Sequence, residues 1–372
     1  MNNNNNNNEG VDGSRRGLLL LGMGLGLQVL LAPSMASTVA AFASAAMSGP
    51  LSEPATMTPR AAHAVLTRVV LAGERLVAIG ERGMVVLSDD GGRQWRQAHV
   101  PVSVTLTSAS FVDARQGWIA GHSGVVLHTS DGGESWSLQT DGVALAKAAL
   151  EQARGLPSAN ADRDHRIQDA QRLVEDGADK PLLSICFADA RRGMVVGAFG
   201  LAAATDDGGK TWTPCRERLP NPMSMHLYAV ARHDKTWVVA GEQGVLMRSR
   251  DDGASFESLA APSERTLFTA TATRNGGFVC AGLLGAACRI DPGSSAVSPI
   301  GLSAPLTILS SVELRDGRVM LLAQGGRVLA SSDGGAHFTE QPLARRDPLT
   351  SLVEAADGGL VATSLGGVAR LG

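Results

Sequence analysis

The segment Thr205-Asp206-Asp207-Gly208-Gly209-Lys210-Thr211-Trp212 decides the fold of this 372-residue chain, because variants of it recur at regular distances. Each copy follows a hairpin glycine, which ends a G-x-x-G in the first five repeats, and a short apolar run. These anchor glycines lie 41, 76, 44, 41, 41 and 40 residues apart and are Gly83, Gly124, Gly200, Gly244, Gly285, Gly326 and Gly366. A period near 40 residues with alternating apolar positions is typical of propeller blades. The sequence therefore predicts an all-β fold, a seven-bladed β-propeller with four-stranded antiparallel blades.

Five repeats carry an aspartate seven residues after the anchor glycine and an aromatic residue five positions further on. The pairs are Asp90 and Trp95, Asp131 and Trp136, Asp207 and Trp212, Asp251 and Phe256, and Asp333 and Phe338. A carboxylate in such a turn can accept backbone N–H bonds while glycine takes the left-handed conformation. Because the pattern recurs in several blades, a structural role is favoured over catalysis. The fifth repeat has Pro292 and Val297 instead, so its turn must be held differently.

The first 45 residues are predicted to be a disordered, Asn-rich start and an export signal, and the propeller is predicted to span residues 46–372. Arg15 and Arg16 precede the apolar run Leu18–Leu31, which small residues follow. This order is typical of a secretory or twin-arginine-like signal. The run is shorter than the roughly 20 residues of a spanning helix, which favours cleavage over a permanent anchor. We therefore expect a periplasmic or otherwise exported protein with no stable membrane span after cleavage.

The seventh repeat ends before its aspartate position would be reached, so the last blade lacks a fourth strand of its own. Propellers commonly protect such an edge with a strand from the other end of the chain. We therefore predict that residues from about Gly49 to Thr58 form the missing outer strand.

The long interval between the second and third repeats predicts a helical insertion over residues 141–179, between blades 2 and 3. Strong helix formers fill Val143–Arg154. A second helix would present Ile167, Ala170 and Val174 on one face. The two helices either lie back on the propeller or project as an arm that grips a partner. The two arrangements are compatible with each other.

Two arginine pairs are candidate partner-binding residues, since exposed guanidinium groups suit anionic or acidic partners. They are Arg191 and Arg192 in a loop of blade 3, and Arg345 and Arg346 before the last blade. Alternatively, both pairs are surface residues that keep the protein soluble. The histidines lack metal-ligand spacing, so we expect no metal site and no cofactor.

Four cysteines are too few and too scattered to form a disulfide framework. A hairpin turn centred on Leu283 and Leu284 would place Cys280 and Cys288 on opposite faces of a sheet. We therefore expect buried free thiols.

The net charge of −3 and the lack of a Lys/Arg block argue against nucleic-acid binding. The seven hairpins, the five Asp boxes and the segment from Phe187 to Gly200 resemble the Asp-box (BNR-like) propellers. Within these, the chain is most similar to the photosystem II assembly and stability factor family, including relatives in non-photosynthetic bacteria. The resemblance implies an exported, non-catalytic scaffold that binds a membrane-complex subunit or its precursor. We expect it to act as a monomer.

The alternative functions are a sialidase-like glycoside hydrolase and a carbohydrate-binding propeller. A sialidase resembles this chain in its Asp boxes but needs an arginine triad and a tyrosine with a glutamate partner. Tyr228 is the only tyrosine, and no such trio or glutamate is identifiable around it from the sequence. A shortage of aromatic residues argues against a sugar-stacking platform.

Overall fold

A computed structural model describes residues 49–342 and 347–371. Within these residues, seven antiparallel sheets follow one another along the chain, as the repeats predict. Blade 1 contains β1 (Leu66–Ala72), β2 (Arg75–Gly80), β3 (Val85–Ser88) and β4 (Arg96–Gln97). Blade 2 contains β5 (Leu106–Phe111), β6 (Gly117–Gly121), β7 (Val126–Thr129) and β8 (Ser137–Thr140). Blade 3 contains β9 (Leu182–Phe187), β10 (Gly193–Gly197), β11 (Ala202–Thr205) and β12 (Thr213–Pro214).

The other four blades repeat this arrangement. Blade 4 contains β13 (Leu227–His233), β14 (Thr236–Gly241), β15 (Leu246–Ser249) and β16 (Glu257–Ser258). Blade 5 contains β17 (Leu267–Ala272), β18 (Phe278–Gly282), β19 (Ala287–Ile290) and β20 (Val297–Pro299). Blade 6 contains β21 (Ile308–Glu313), β22 (Val319–Ala323), β23 (Arg327–Ser331) and β24 (Thr339–Gln341). Blade 7 contains β25 (Leu349–Glu354), β26 (Leu360–Ser364) and β27 (Gly367–Leu371).

The seven sheets form a closed ring. The first strand of each blade contacts the first strand of the next, and β1 also contacts β25. Apart from β27, the second and third strands are buried along most of their length, and apolar side chains from neighbouring blades share common clusters. The ring and the antiparallel blades confirm the predicted propeller.

The predicted N-terminal outer strand is wrong. Within the described residues, the last sheet has three strands, and the segment from Gly49 to Thr58 contains none. This segment instead packs on blade 1 and on the connection that follows it, where the Ala55 N–H donates to the carbonyl of Val100. Pro50 and Pro54 explain the error, because proline lacks the N–H that a strand ladder needs.

Side chains tie blade 7 to blade 1. The Thr350 hydroxyl donates to the Leu66 carbonyl over 2.7 Å. The Asp357 carboxylate accepts from Arg370 at 2.8 Å and from Arg93 at 3.0 Å. A short 3₁₀ turn, Ala61–His63, also contacts β27.

The helical insertion lies where the sequence predicts it, between β8 and β9. Its helices are α1 (Gly142–Arg154) and α2 (Arg163–Asp176). The Asp141 side chain caps α1 by accepting the Ala144 N–H at 2.8 Å. Helix α1 packs against β12 and against the hairpin of blade 2, so the insertion lies back on the propeller. A Cβ atom added to Gly124 would come within 2.5 Å of Gly142, so glycine permits this close approach.

Candidate partner-binding surfaces

Each of the five Asp boxes forms the same type of hydrogen-bonded turn. In blade 3, Asp207 accepts the Thr205 hydroxyl at 2.8 Å and the Thr211 N–H at 2.9 Å. The Thr211 hydroxyl also donates to it. The Thr205 hydroxyl oxygen in turn accepts the Gly209 N–H at 2.8 Å. The other four boxes repeat this arrangement around Asp90, Asp131, Asp251 and Asp333.

These bonds favour the ionised carboxylates. The hydroxyl and the backbone N–H of Thr211 lower the pKa of Asp207 to about 2. The Ser255 and Ser249 hydroxyls lower the pKa of Asp251 to about 2. The pKa of a general acid is normally raised toward neutrality, so these values do not suit acid catalysis. The carboxylates hold their turns.

The aromatic residues of the boxes pack back on the blades. Trp136, Trp212 and Phe338 are buried, and Trp95 and Phe256 are partly buried. In blade 5, which lacks the box, the turn is held from blade 4. Arg248 donates to the Ser294 carbonyl, and Arg250 donates to the Ser295 hydroxyl at 3.0 Å.

Arg191 and Arg192 are engaged within the propeller. The Arg191 side chain donates to the Asp206 carbonyl at 3.2 Å. Arg192 donates twice to Asp189, at 2.9 Å each, and also reaches Asp252 in blade 4. The contact with Asp252 joins blades 3 and 4, although Arg192 stays about half exposed. Arg345 and Arg346 lie outside the described residues.

The structure brings the insertion and blade 3 together around a cleft of about 470 Å³. Its apolar lining includes Leu145, Ala149 and Leu173 from the helices and Leu182 and Leu201 from blade 3.

The loop after blade 3 closes one side of this cleft. Leu219, Pro220 and Pro222 line that side. The Arg166 guanidinium lies 3.4 Å from the Glu217 carboxylate and links α2 to the loop. The sequence analysis missed this wall, although two closely spaced prolines signal a rigid connection there.

The expected arrangement of Cys280 and Cys288 is wrong. The two cysteines lie directly opposite each other on β18 and β19, so they share one face. The turn is centred on Leu284 and Gly285, and Ala286 bonds both Gly282 and Leu283. This extra residue shifts the register by one position. Both thiols are buried and free.

Two further observations concern residues 49–342 and 347–371. No group of three or more His, Cys, Asp or Glu side chains is arranged to hold a metal ion there. None of the helices in this part combines the length and apolar character needed to cross a membrane.

Known proteins resemble this chain in sequence and in architecture. The sequence profile described as photosynthesis system II assembly factor YCF48 matches residues 72–146 and 166–277, about half of the chain. A curated relative, the photosystem II assembly lipoprotein Ycf48 of Synechococcus sp. (strain CC9902), is 33% identical over 63 residues. That alignment covers 16% of this chain and 19% of the relative, so the chain matches under a fifth of the relative's length.

Two solved structures share the fold. One, titled YCF48 bound to D1 peptide, has a TM-score of 0.59 at 16% identity and covers 86% of this chain and 95% of its own. The other is the GH74 xyloglucanase of Xanthomonas campestris, with a TM-score of 0.56 at 12% identity. It covers 82% of this chain and 52% of its own. From the profile match, the chain belongs to the photosynthesis system II assembly factor YCF48 family.

Proposed function

We propose that this protein is an exported, non-catalytic scaffold that binds a segment of a membrane-protein subunit and assists assembly of its complex. The cleft between the helical insertion and blade 3 carries the proposal. Its lining is mainly apolar and also includes charged side chains such as Arg166, Asp169 and Lys180. Such a surface suits a peptide segment with a few anchoring side chains.

The names of the relatives support this proposal. One relative is named an assembly lipoprotein, and one solved structure is titled as bound to a peptide of D1. The client of the present chain is a membrane-protein subunit, which the experiment below is designed to identify. Export follows from the order of charged, apolar and small residues near the start of the sequence.

Filling the cleft tests the proposal. Ala149 lines the cleft, and the Ala149→Trp side chain would occupy part of its volume. We expect crosslinking and pull-down from envelope membranes to recover a membrane-protein subunit with the wild type and clearly less of it with Ala149→Trp. The matched control is Ala144→Trp, on an exposed position of the same helix. Equal recovery with both variants, or no membrane protein with the wild type, would contradict the proposal.

Turnover of fluorogenic glycosides tests the hydrolase alternative. We expect no turnover by the wild type. Appreciable hydrolysis that Tyr228→Phe abolishes would replace the scaffold proposal.

A further inference from the structure

One position in the first strand of every blade interrupts the sheet. Pairing with the second strand skips the second residue of each first strand, which is a bulge. The seven bulge residues are Thr67, Thr107, Leu183, Tyr228, Phe268, Leu309 and Thr350. A bulge re-aims its side chain away from the regular pleat. Because the first strands form the inner ring, these positions repeat around the centre of the propeller.

In three consecutive blades, the side chain at this position donates a hydrogen bond to the next blade. Thr350 of blade 7 donates to Leu66 of blade 1, Thr67 of blade 1 to Leu106 of blade 2, and Thr107 of blade 2 to Leu182 of blade 3. The acceptor is the backbone carbonyl in each case, at 2.7 Å.

Blades 3 to 6 lack this threonine and its hydrogen bond to the next blade. Three of their bulge residues have no side-chain hydroxyl, and Tyr228 is too large for the same bond. We call these four residues the apolar arc: Leu183, Tyr228, Phe268 and Leu309. All four are partly exposed, and Leu309 is 37% exposed. Four neighbouring blades thus present large side chains to solvent where the other three are tied together.

Aromatic rings extend the arc toward the G-x-x-G hairpins. The Tyr228 and Phe268 rings meet edge to face, with centroids 5.1 Å apart. His226 lies 6.2 Å from Tyr228 and 4.8 Å from Phe199. Phe199 is 51% exposed at the tip of the blade 3 hairpin, with a positive φ of 55°. The same hairpin position also has a positive φ in blades 1, 2, 4 and 5, so the turn itself requires this conformation.

One carboxylate beside these rings lacks a cation. Glu242 accepts the His226 backbone N–H at 3.1 Å. Its 3.6 Å approach to His226 Nδ1 is not an ion pair, because Nδ1 accepts the Phe199 N–H at 3.1 Å. Within the described residues, no lysine or arginine pairs with Glu242. Lys180, near the Phe199 ring, already pairs with Asp176 and Asp179.

The rings and the carboxylate complement the same ligand. Aromatic faces attract cations, and the attraction grows when the cation is partly desolvated. The negative charge of Glu242 also attracts cations. Burial, together with this charge, raises the pKa of Tyr228. The neighbouring arc offers apolar contact on both sides.

We infer that the apolar arc and Glu242 bind an extended peptide segment in which a lysine or arginine is flanked by apolar residues. The cation lies against Glu242 and Tyr228, and the apolar neighbours contact Phe268 and Leu309. This inference rests on the proposed function, since it assigns a chemistry to the partner segment. It adds a site separate from the cleft beside the insertion.

Fluorescence anisotropy with defined peptides tests the inference on the full chain. The probe is fluorescein-labelled Gly-Leu-Phe-Lys-Leu-Phe-Gly, with matched peptides that carry norleucine or glutamate in place of lysine. We expect the lysine peptide to bind about tenfold more tightly than the norleucine peptide, and the glutamate peptide to bind most weakly. Equal affinity for all three, or no binding of the lysine peptide, would overturn the inference.

Three variants separate the contributions. Glu242→Gln should abolish the preference for lysine over norleucine, whereas Glu81→Gln, at the same hairpin position of blade 1, should keep it. Phe268→Thr introduces the residue that blades 7, 1 and 2 use, so the fold should tolerate it while all peptides bind more weakly. An unchanged lysine preference in Glu242→Gln would contradict the assignment.

The cleft variant Ala149→Trp separates this inference from the proposed function. It should leave peptide affinity unchanged. If it abolishes peptide binding, the peptide occupies the cleft and the arc assignment fails while the scaffold function stands.

Discussion

The Asp-box turns and the G-x-x-G hairpins lie at opposite ends of the same strands and differ in what they leave unsatisfied. In the turns, each box aspartate accepts bonds from its own loop. At the hairpins, Phe199 and Leu284 are about half exposed, and Glu242 has no cation partner in the described residues. The most recognisable motif of the sequence therefore marks the end that stabilises the blades. The less regular end has the surface available for a ligand.

The largest effect should come from removing a box carboxylate. Asp207→Ala deletes the acceptor of three hydrogen bonds and should lower the free energy of unfolding by about 1–2 kcal/mol. Asp206→Ala is the control, since the adjacent side chain is exposed and outside the turn network. Denaturant titration measures both. Equal losses would show that the network does not distinguish the two aspartates.

Acid should remove the same stabilisation. Because the pKa of Asp207 is lowered to about 2 in the folded state, the stabilisation is complete above the unfolded value of roughly 4 and is lost as the pH falls toward 2. The difference in melting temperature between wild type and Asp207→Asn should therefore shrink between pH 4 and about 2. A constant difference across this range would contradict the role of the charged carboxylate.

At the hairpin end, truncation should stabilise the protein. Leu284 is 52% exposed and has a φ of 48°, which glycine adopts without strain. Leu284→Gly should raise the free energy of unfolding by about 0.5–1 kcal/mol, as measured by denaturant titration. Leu365→Gly, an exposed hairpin leucine absent from the positive-φ positions, should give no such gain. A loss of stability in Leu284→Gly would mean that its packing outweighs its strain.

The smallest effect should follow Arg192→Ala. Its ion pairs with Asp189 and Asp252 are solvent-exposed on the arginine side, and such pairs contribute little to stability. We expect a melting temperature close to that of the wild type. If Arg192 binds a partner as the sequence suggests, recovery of the membrane-protein subunit should fall in the same variant. Unchanged recovery would leave Arg192 as a link between blades 3 and 4.

The ring could be predicted because its signal is repeated. Glycines at the hairpins and carboxylates in the turns meet requirements of the backbone itself, so the glycines recur in every blade and the carboxylates in five of the seven. The insertion was predictable because helix formers fill a gap in this period. Its contact with the loop around Leu219 and Pro220 depends on tertiary packing, which no local pattern records.

One error and one omission arose where a single residue shifts the register of a strand. The bulge at Gly282 changes the partner of Cys280, and hydrophobic alternation does not reveal it. The same limit hid the apolar arc, because Tyr228 and Phe268 look like ordinary alternating strand residues until the skipped pairing is seen. A strand was predicted over Gly49–Thr58 because the last blade lacks a fourth strand, although the two prolines of this segment disfavour a strand.

In the part of the chain that the structure describes, every sheet is built from one uninterrupted stretch of sequence. Within residues 49–342 and 347–371, no blade is shared between distant segments and no strand from elsewhere in the chain joins blade 7 to blade 1. Each blade is thus formed by one continuous segment of the chain, although it packs against its neighbours. Circular permutants that open the ring at another junction would divide no sheet. The same ring of blades would therefore be encoded by a chain that begins at a different blade.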